Sequence, residues 1–218
     1  MVKKKKLIDT DLVKMYIDYI LNHDERPKSV YLFAKSNNFE EGAFYEYFGN
    51  FDALEQKIFE SFFNQTIDLL EKSEDYINYD SRNKLLSFYF TFFELLTANR
   101  SYVNTALKNK PNLKFMKPLG KLKKVFTEYI DTLEIEKIEI NQKQIEEIQD
   151  KSLKEGAWIQ LIMTLKFWLN DTSSSFEKTD IFIEKAVNTS FDLMSIQPIK
   201  SVIDFGKFLF KEKMMMNK

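Results

Sequence analysis

An all-α fold is predicted by two features of the sequence. The chain has 218 residues, of which only 5 are Gly and 4 are Pro, so few residues are suited to tight turns. Apolar residues also recur at spacings of three and four along most of the chain, as they do on the buried face of a helix. We therefore expect long helices that pack on one another rather than a sheet.

The first part of the chain predicts three short helices followed by a longer one. The first helix spans residues 10–21. Pro27 suits the first turn of the second helix, because the N–H that Pro lacks would have no partner there. A third helix spans residues 40–47, and a long fourth helix begins near Phe51. This order and spacing indicate a helix-turn-helix head followed by a connecting helix.

The remaining sequence predicts a helical bundle. Residues 82–97 are apolar on nearly all sides, which is typical of a helix at the centre of a bundle. Residues 156–169 are strongly apolar and contain both Trp residues. Helices are expected at 82–97, 101–109, 119–133, from Asn141 past Leu153, at 156–169, 179–194 and 198–211.

The overall composition excludes several classes of protein. With 32 basic and 33 acidic residues, bulk charge gives no indication of a nucleic-acid or anionic membrane partner. The chain has no Cys, and His23 is its single His, so no metal site, cofactor or catalytic motif is expected and we predict that it is not an enzyme. No apolar run reaches the roughly 20 residues of a membrane span, so integral membrane association is not expected and a cytoplasmic protein is.

One motif carries a family resemblance. Gly42-Ala43-Phe44-Tyr45 followed by Tyr47-Phe48 resembles the DNA-recognition helix of the tetracycline-repressor (TetR) family of transcriptional regulators. The resemblance is specific over residues 28–62 and continues beyond them in the helix pattern. It implies a TetR-like fold, with a helix-turn-helix head at 1–50 and a ligand-binding and dimerisation body at 51–218. It also implies a homodimer through the helices at 156–169 and 179–194.

The resemblance assigns residues to contacts with operator DNA. The second helix of a helix-turn-helix lies in the major groove, so the start of the third helix would meet base edges. Tyrosines near its end would meet phosphates, and the start of the second helix can hold a phosphate. A basic N-terminal arm can reach the duplex or can be a solvated tail. The expected contacts are Lys3, Lys4, Lys5, Lys6, Lys28, Ser29, Glu40, Glu41, Ala43, Tyr45 and Tyr47.

The local charge argues against DNA binding. Residues 24–54 carry three basic and six acidic side chains, a net charge of −3, whereas DNA affinity comes largely from neutralising phosphates with Lys and Arg. Phe51 stands where the family usually has Lys. A glutamate can accept a hydrogen bond from cytosine N4, so Glu40 or Glu41 could read a base instead.

The body of a TetR-type protein would contain a ligand cavity. An aromatic cavity with few polar groups suits an apolar or lipid-like small molecule. The alternative is that these aromatic residues simply form the core, and the 21 Phe residues fit either interpretation. The candidate lining is Phe88, Phe92, Tyr102, Phe126, Trp158, Met163 and Phe167.

Two functions follow from these observations. The first is a ligand-responsive DNA-binding transcriptional regulator of TetR type. The alternative is a degenerate TetR-fold protein that binds a lipid or another apolar ligand without binding DNA. The C-terminal segment from Phe167 loosely resembles TetR-like mitochondrial lipid-binding proteins of ubiquinone biosynthesis, and an amphipathic helix at 198–211 would suit a membrane surface or the bundle.

Overall fold

The computed structural model describes residues 7–108, 110–135 and 143–195, together with 205, 206 and 208. Side chains at 143–146, 148, 194 and 195 are outside this description. The described residues form helices and no strand, which confirms the predicted all-α fold. The α-helices are α1 (Asp9–His23), α2 (Val30–Ser36), α3 (Glu41–Tyr45), α4 (Phe51–Leu70), α5 (Glu74–Asn78), α6 (Ser81–Ala98), α7 (Arg100–Leu107), α8 (Asn112–Met116), α9 (Gly120–Thr132), α10 (Lys143–Asn170) and α11 (Glu177–Ser195).

The chain groups into two compact units. The first contains residues 1–74 and 91–129, and the second contains residues 75–90 and 130–218. Helix α6 runs through the division between residues 90 and 91. The proposed boundary between head and body at residue 50 stays a prediction.

The first unit is built around aromatic side chains of α1 to α4. Phe33 of α2, Phe44 of α3 and Phe51 of α4 are buried, and the Phe44 ring lies 5.3 Å from the Phe51 ring, edge to face. The Tyr16 ring of α1 stacks on Phe51 at 5.4 Å. Edge-to-face and offset aromatic pairs are favourable beyond the area they bury, so this cluster fixes the short α3 against longer helices.

The second unit contains the packed pair α10 and α11. Trp158 and Trp168 of α10 and Ile183 and Val187 of α11 are buried. The turn between the two helices is held by Asp171, whose Oδ2 accepts hydrogen bonds from the N–H and hydroxyl of Thr179 at 2.9 and 2.7 Å. Burial alone would raise the pKa of Asp171, but hydrogen bonds from Ser173 and Thr179 outweigh it and hold the pKa at about 2.

Two expectations about the elements are wrong, two short helices were not expected, and two further expectations are not tested. Pro27 is not in the first turn of α2: it is a buried residue ahead of the helix, because Ser29 caps α2 by accepting the Leu32 N–H at 3.2 Å. Gly156 does not divide α10, which continues from Lys143 to Asn170. The short α5 and α8 were not anticipated. The expected cap at Asn141 and most of the expected helix at 198–211 lie outside the described residues.

Candidate nucleic-acid interface and charged cavity

Helices α2 and α3 form a helix-turn-helix. The turn between them is stabilised by Asn37, whose side-chain amide donates to the Phe33 carbonyl at 2.9 Å. Asn38 adopts a φ of 58°, a left-handed conformation that Asn tolerates better than most residues. The Phe39 N–H then donates to the Ala34 carbonyl at 3.1 Å. These local bonds set the angle at which α3 leaves α2.

The outward side of α3 is acidic and aromatic, and we call it the α3 face: Glu40, Glu41, Ala43, Tyr45, Glu46 and Tyr47. Glu41 and Ala43 are half-buried, whereas the other four side chains are exposed. The Tyr45 hydroxyl donates to Glu41 Oε1 at 3.2 Å. Among the described residues, Glu40 and Glu46 make no ion pair, so their charges face solvent.

Other predicted DNA contacts lie near this face or outside the description. Tyr47 donates from its hydroxyl to the Leu7 carbonyl at 2.9 Å, which brings the start of the described chain beside α3. Lys28 is exposed, and Ser29 is half-buried because its Oγ caps α2. The arm residues Lys3, Lys4, Lys5 and Lys6 lie outside the described residues.

A network of charged side chains connects α1, the loop after it and the start of α4. Arg26 donates from Nη2 to Glu55 Oε2 at 2.6 Å and from Nε to Glu55 Oε1 at 3.2 Å. The Tyr16 hydroxyl donates to the same Glu55 Oε1 at 2.5 Å. Glu55 is 7 % exposed, so its charge is compensated inside the protein rather than by water.

The network continues through Asp52 to the turn after α8. Arg26 Nη2 lies 2.8 Å from Asp52 Oδ1, and Lys117 Nζ lies 2.6 Å from Asp52 Oδ2. Burial by itself raises the pKa of Asp52, but the bonds from Lys117 and Arg26 outweigh it and lower the pKa below its usual value. Burial and Glu55 raise the pKa of Tyr16, so its hydroxyl keeps its proton.

Arg26, Asp52, Glu55 and Lys117 line a cavity of about 460 Å³, which we call the charged cavity. Four parts of the chain form its walls. They are the end of α1 with the loop that follows it, the first turns of α4, helix α7, and the segment from Lys110 to Pro118. All of them belong to the first compact unit. Nothing in the sequence analysis anticipated this cavity, because its charged groups are far apart along the chain.

Comparison with known proteins decides the family. Residues 84–209 match the family described as the tetracyclin repressor-like C-terminal domain, which is more than half of the chain. The chain belongs to the TetR family. A search of curated proteins gave no match.

The TetR ligand-pocket residues predicted from sequence have different environments. Phe88, Phe92, Phe126 and Trp158 are fully or almost fully buried. Tyr102 is also buried and lines the charged cavity. Met163 and Phe167 are 56 % and 38 % exposed, and line a surface groove of about 510 Å³ beside Phe182. The single apolar pocket composed of all seven stays a prediction.

The helices predicted to dimerise the TetR protein carry exposed apolar groups. Ile159, Met163 and Phe167 recur at intervals of four on α10, and each is at least 38 % exposed. Phe167 stacks on Phe182 of α11 with ring centroids 4.6 Å apart. No described helix is long and apolar enough to cross a bilayer. Within the described residues, no group of three or more His, Cys, Asp or Glu could hold a metal ion.

Proposed function

We propose that this TetR-family protein is a ligand-responsive transcriptional regulator that binds operator DNA through α2 and α3. The observation that supports this function best is the helix-turn-helix itself. The buried rings of Phe33, Phe44 and Phe51 hold α3 in place, and Tyr45 and Tyr47 remain exposed on its outer side. A recognition helix needs this combination of a fixed inner face and a free outer face.

The DNA contacts we propose follow the sequence prediction. Tyr45 and Tyr47 would donate to phosphates in place of their present acceptors, Glu41 Oε1 and the Leu7 carbonyl. Lys28 and Ser29 would meet the DNA backbone at the start of α2, and the arm at Lys3 to Lys6 would add positive charge. Glu40 and Glu41, with Ala43, would face base edges, where a carboxylate accepts from cytosine N4.

Charge pairing at the charged cavity further weakens the electrostatic attraction between the protein and DNA. Arg26 is engaged by Glu55 and Asp52 and is therefore not free for a phosphate. Because counterion release scales with the number of phosphates neutralised, we expect a shallow dependence of affinity on salt. Affinity would come mainly from neutral donors and from the fit of α3 to one sequence.

Dimerisation and ligand response complete the proposal. The exposed stripe of Ile159, Met163 and Phe167 supports association of two copies through α10 and α11. In a dimer, a ligand with different affinities for two spacings of the heads shifts the population between them. The aromatic residues predicted for the body suit an apolar or lipid-like ligand.

The acidity of the α3 face favours a second candidate function. Exposed Glu40 and Glu46 repel phosphates, as expected of a TetR-fold protein that binds an apolar ligand without DNA. The same charges therefore separate the two functions experimentally.

The test is selection of bound fragments from the source genome by the purified protein, followed by titration of the best fragment at several salt concentrations. A regulator enriches one site, which is palindromic if the protein is a dimer. The variant with Glu40→Lys, Glu41→Lys and Glu46→Lys should lose selectivity and gain about tenfold or more in non-specific affinity at low salt.

The matched control changes the same number of charges away from α3. Asp68→Lys, Glu71→Lys and Glu94→Lys reverse three exposed acids and should leave both selectivity and non-specific affinity much closer to those of wild type. No enrichment of any fragment by a folded wild-type protein would contradict the regulator. Co-purification of an apolar molecule with that protein would then support the second candidate.

A further inference from the structure

The charged cavity has the size and enclosure of a small-molecule site. Its volume of about 460 Å³ falls within the usual range of such sites. Of the seven residues predicted to form the apolar pocket, Tyr102 alone lines it, and most of the other lining residues are charged. It also borders the first turns of α4, the helix that follows the helix-turn-helix.

Only some of the charged side chains around the cavity form ion pairs with one another. Glu55 and Asp52 are engaged by Arg26, and Asp52 also by Lys117. Lys110 and Lys114 line the same cavity and make no ion pair with any described residue. Burial lowers the pKa of Lys110; attraction from Glu55 partly offsets this effect, and repulsion from Arg26 and Lys114 adds to it. Both lysines are exposed, so their charges are accessible to an anion bound in the cavity.

A buried hydroxyl also lacks a partner. Tyr102 is 2 % exposed, lines the cavity, and its hydroxyl has no hydrogen-bond partner among the described residues. Buried polar groups are nearly always satisfied, so an unsatisfied one at a cavity wall indicates that something binds there. A phenolic hydroxyl donates well to a carboxylate or phosphate oxygen.

The rest of the lining includes two acidic side chains. Asp24 and Glu25, from the loop after α1, line the cavity and make no ion pair with a described residue. They would repel an anion but accept hydrogen bonds from amino or hydroxyl groups. The lining therefore suits a molecule that carries both an anionic group and hydrogen-bond donors.

We propose that the charged cavity binds a small polar molecule whose carboxylate or phosphate contacts Lys110, Lys114 and Tyr102 and whose donor groups face Asp24 and Glu25. This site shares Tyr102 with the apolar pocket predicted in the helical body but differs from it in its charged lining, and it does not depend on DNA binding. A bound ligand would contact three parts of the chain: the loop that follows α1, the first turns of α4, and the segment at 110–118. Binding should therefore make the first compact unit more rigid.

Calorimetric titration of the full chain with glutamate, citrate, inorganic phosphate and glucose 6-phosphate tests this site. Ionic strength is held constant with sodium chloride, and glucose is the uncharged control. We expect at least one anion to bind and glucose not to bind. Binding by the carboxylates alone or by the phosphates alone assigns the chemical class of the anionic group.

Three variants locate the binding. Lys110→Gln with Lys114→Gln should weaken binding by about tenfold or more, since both charge-assisted contacts are lost. Tyr102→Phe removes one hydroxyl and keeps the buried ring, so it should weaken binding by about three- to tenfold without impairing folding. Lys108→Gln with Lys124→Gln removes two lysines that do not line the cavity and should change affinity less than about twofold.

Two results would overturn the proposal. One is that none of the four anions binds the folded protein with a dissociation constant below about 10 mM. The other is that binding is unaffected both by the Lys110 and Lys114 changes and by Tyr102→Phe, which would place the anion elsewhere on the surface. Neither result bears on DNA binding, which is tested separately by fragment selection.

Discussion

The α3 face and the charged cavity both contain acidic side chains, but the two regions differ in how exposed and how well paired these side chains are. On the α3 face, Glu40 and Glu46 are exposed and have no cationic partner among the described residues. In the cavity, Glu55 is buried and is held by Arg26 and Tyr16. An exposed charge costs little because water solvates it, whereas a buried charge must be compensated by the protein.

This difference changes the meaning of the charge count. Counting residues 24–54 gives a net −3, but it treats Arg26 and Asp52 as if they were free. The structure pairs them with each other at 2.8 Å. What remains at the helix-turn-helix is Lys28 and Lys35 against the three glutamates of the α3 face, together with Asp24 and Glu25 at the cavity. The pair removes one charge of each sign, so the remaining net charge is still −3, but only two of the three basic side chains stay available to phosphates.

The largest effect is expected for Arg26→Gln. This change leaves the carboxylate of Glu55 buried without its cation, which should reduce the free energy of unfolding by about 2 kcal/mol, a value moderated because Arg26 is itself partly exposed. Urea denaturation followed by circular dichroism measures the loss. Lys57→Gln is the control, because it breaks a surface pair with Glu60 on the same helix and should cost less than about 1 kcal/mol. Equal losses in the two variants would contradict the contrast between buried and exposed charge.

A second prediction concerns an acidic side chain that is held by hydrogen bonds at the turn between α10 and α11. Asp171 accepts hydrogen bonds from N–H and hydroxyl donors of Ser173 and Thr179, so Asp171→Ala should cost about 1–2 kcal/mol through loss of these bonds. Denaturation of this variant and of wild type at pH 7 gives the difference. A loss below a few tenths of a kcal/mol would show that the turn between α10 and α11 does not depend on this carboxylate.

The same residue gives a pH dependence. The folded pKa of about 2 lies below the unfolded value of about 3.9, so the contribution of Asp171 is fully present above pH 4 and is lost as the pH falls through about 2. The stability difference between wild type and Asp171→Ala should therefore shrink between about pH 4 and pH 2. A difference that stays constant over this range would contradict the lowered pKa.

The smallest effect on stability is expected for Tyr47→Phe. This change removes an exposed hydroxyl that donates to the Leu7 carbonyl, and should cost no more than about 0.5 kcal/mol. If Tyr47 also meets a phosphate, operator affinity should fall by about threefold to tenfold, as measured by titration of the selected fragment. Tyr79→Phe changes another exposed tyrosine, outside the helix-turn-helix, and should leave that affinity unchanged.

Much of the fold could be predicted because the spacing of apolar residues along the chain indicates which face of each helix is buried. Leu85, Phe88 and Phe92 recur on one side of α6 and are all buried. Short helices such as α5 and α8 span too few turns to display a period. Pro27 was wrongly placed in the first turn of α2, because Pro is also common just before a helix. The helix begins after Ser29, whose side chain caps it.

The charged cavity could not be predicted because long-range pairing has no local pattern. Arg26 and Glu55 are 29 positions apart, and Gln56 reaches the Lys117 carbonyl across 61 positions. One signal was present: Glu55 lies beside Leu54 and three residues before Ile58, on the side of α4 that is otherwise apolar. An acid in a buried stripe requires a partner, although the sequence does not say which one.

The placement of Trp in α10 gives the protein a built-in optical probe. Both Trp residues of the chain, Trp158 and Trp168, are on this one helix, and neither is more than 4 % exposed. Indole emission therefore monitors the second compact unit, whereas circular dichroism averages over all helices. Denaturation curves that coincide for the two signals mean that both units melt together, and curves that separate mean that each unit has its own midpoint.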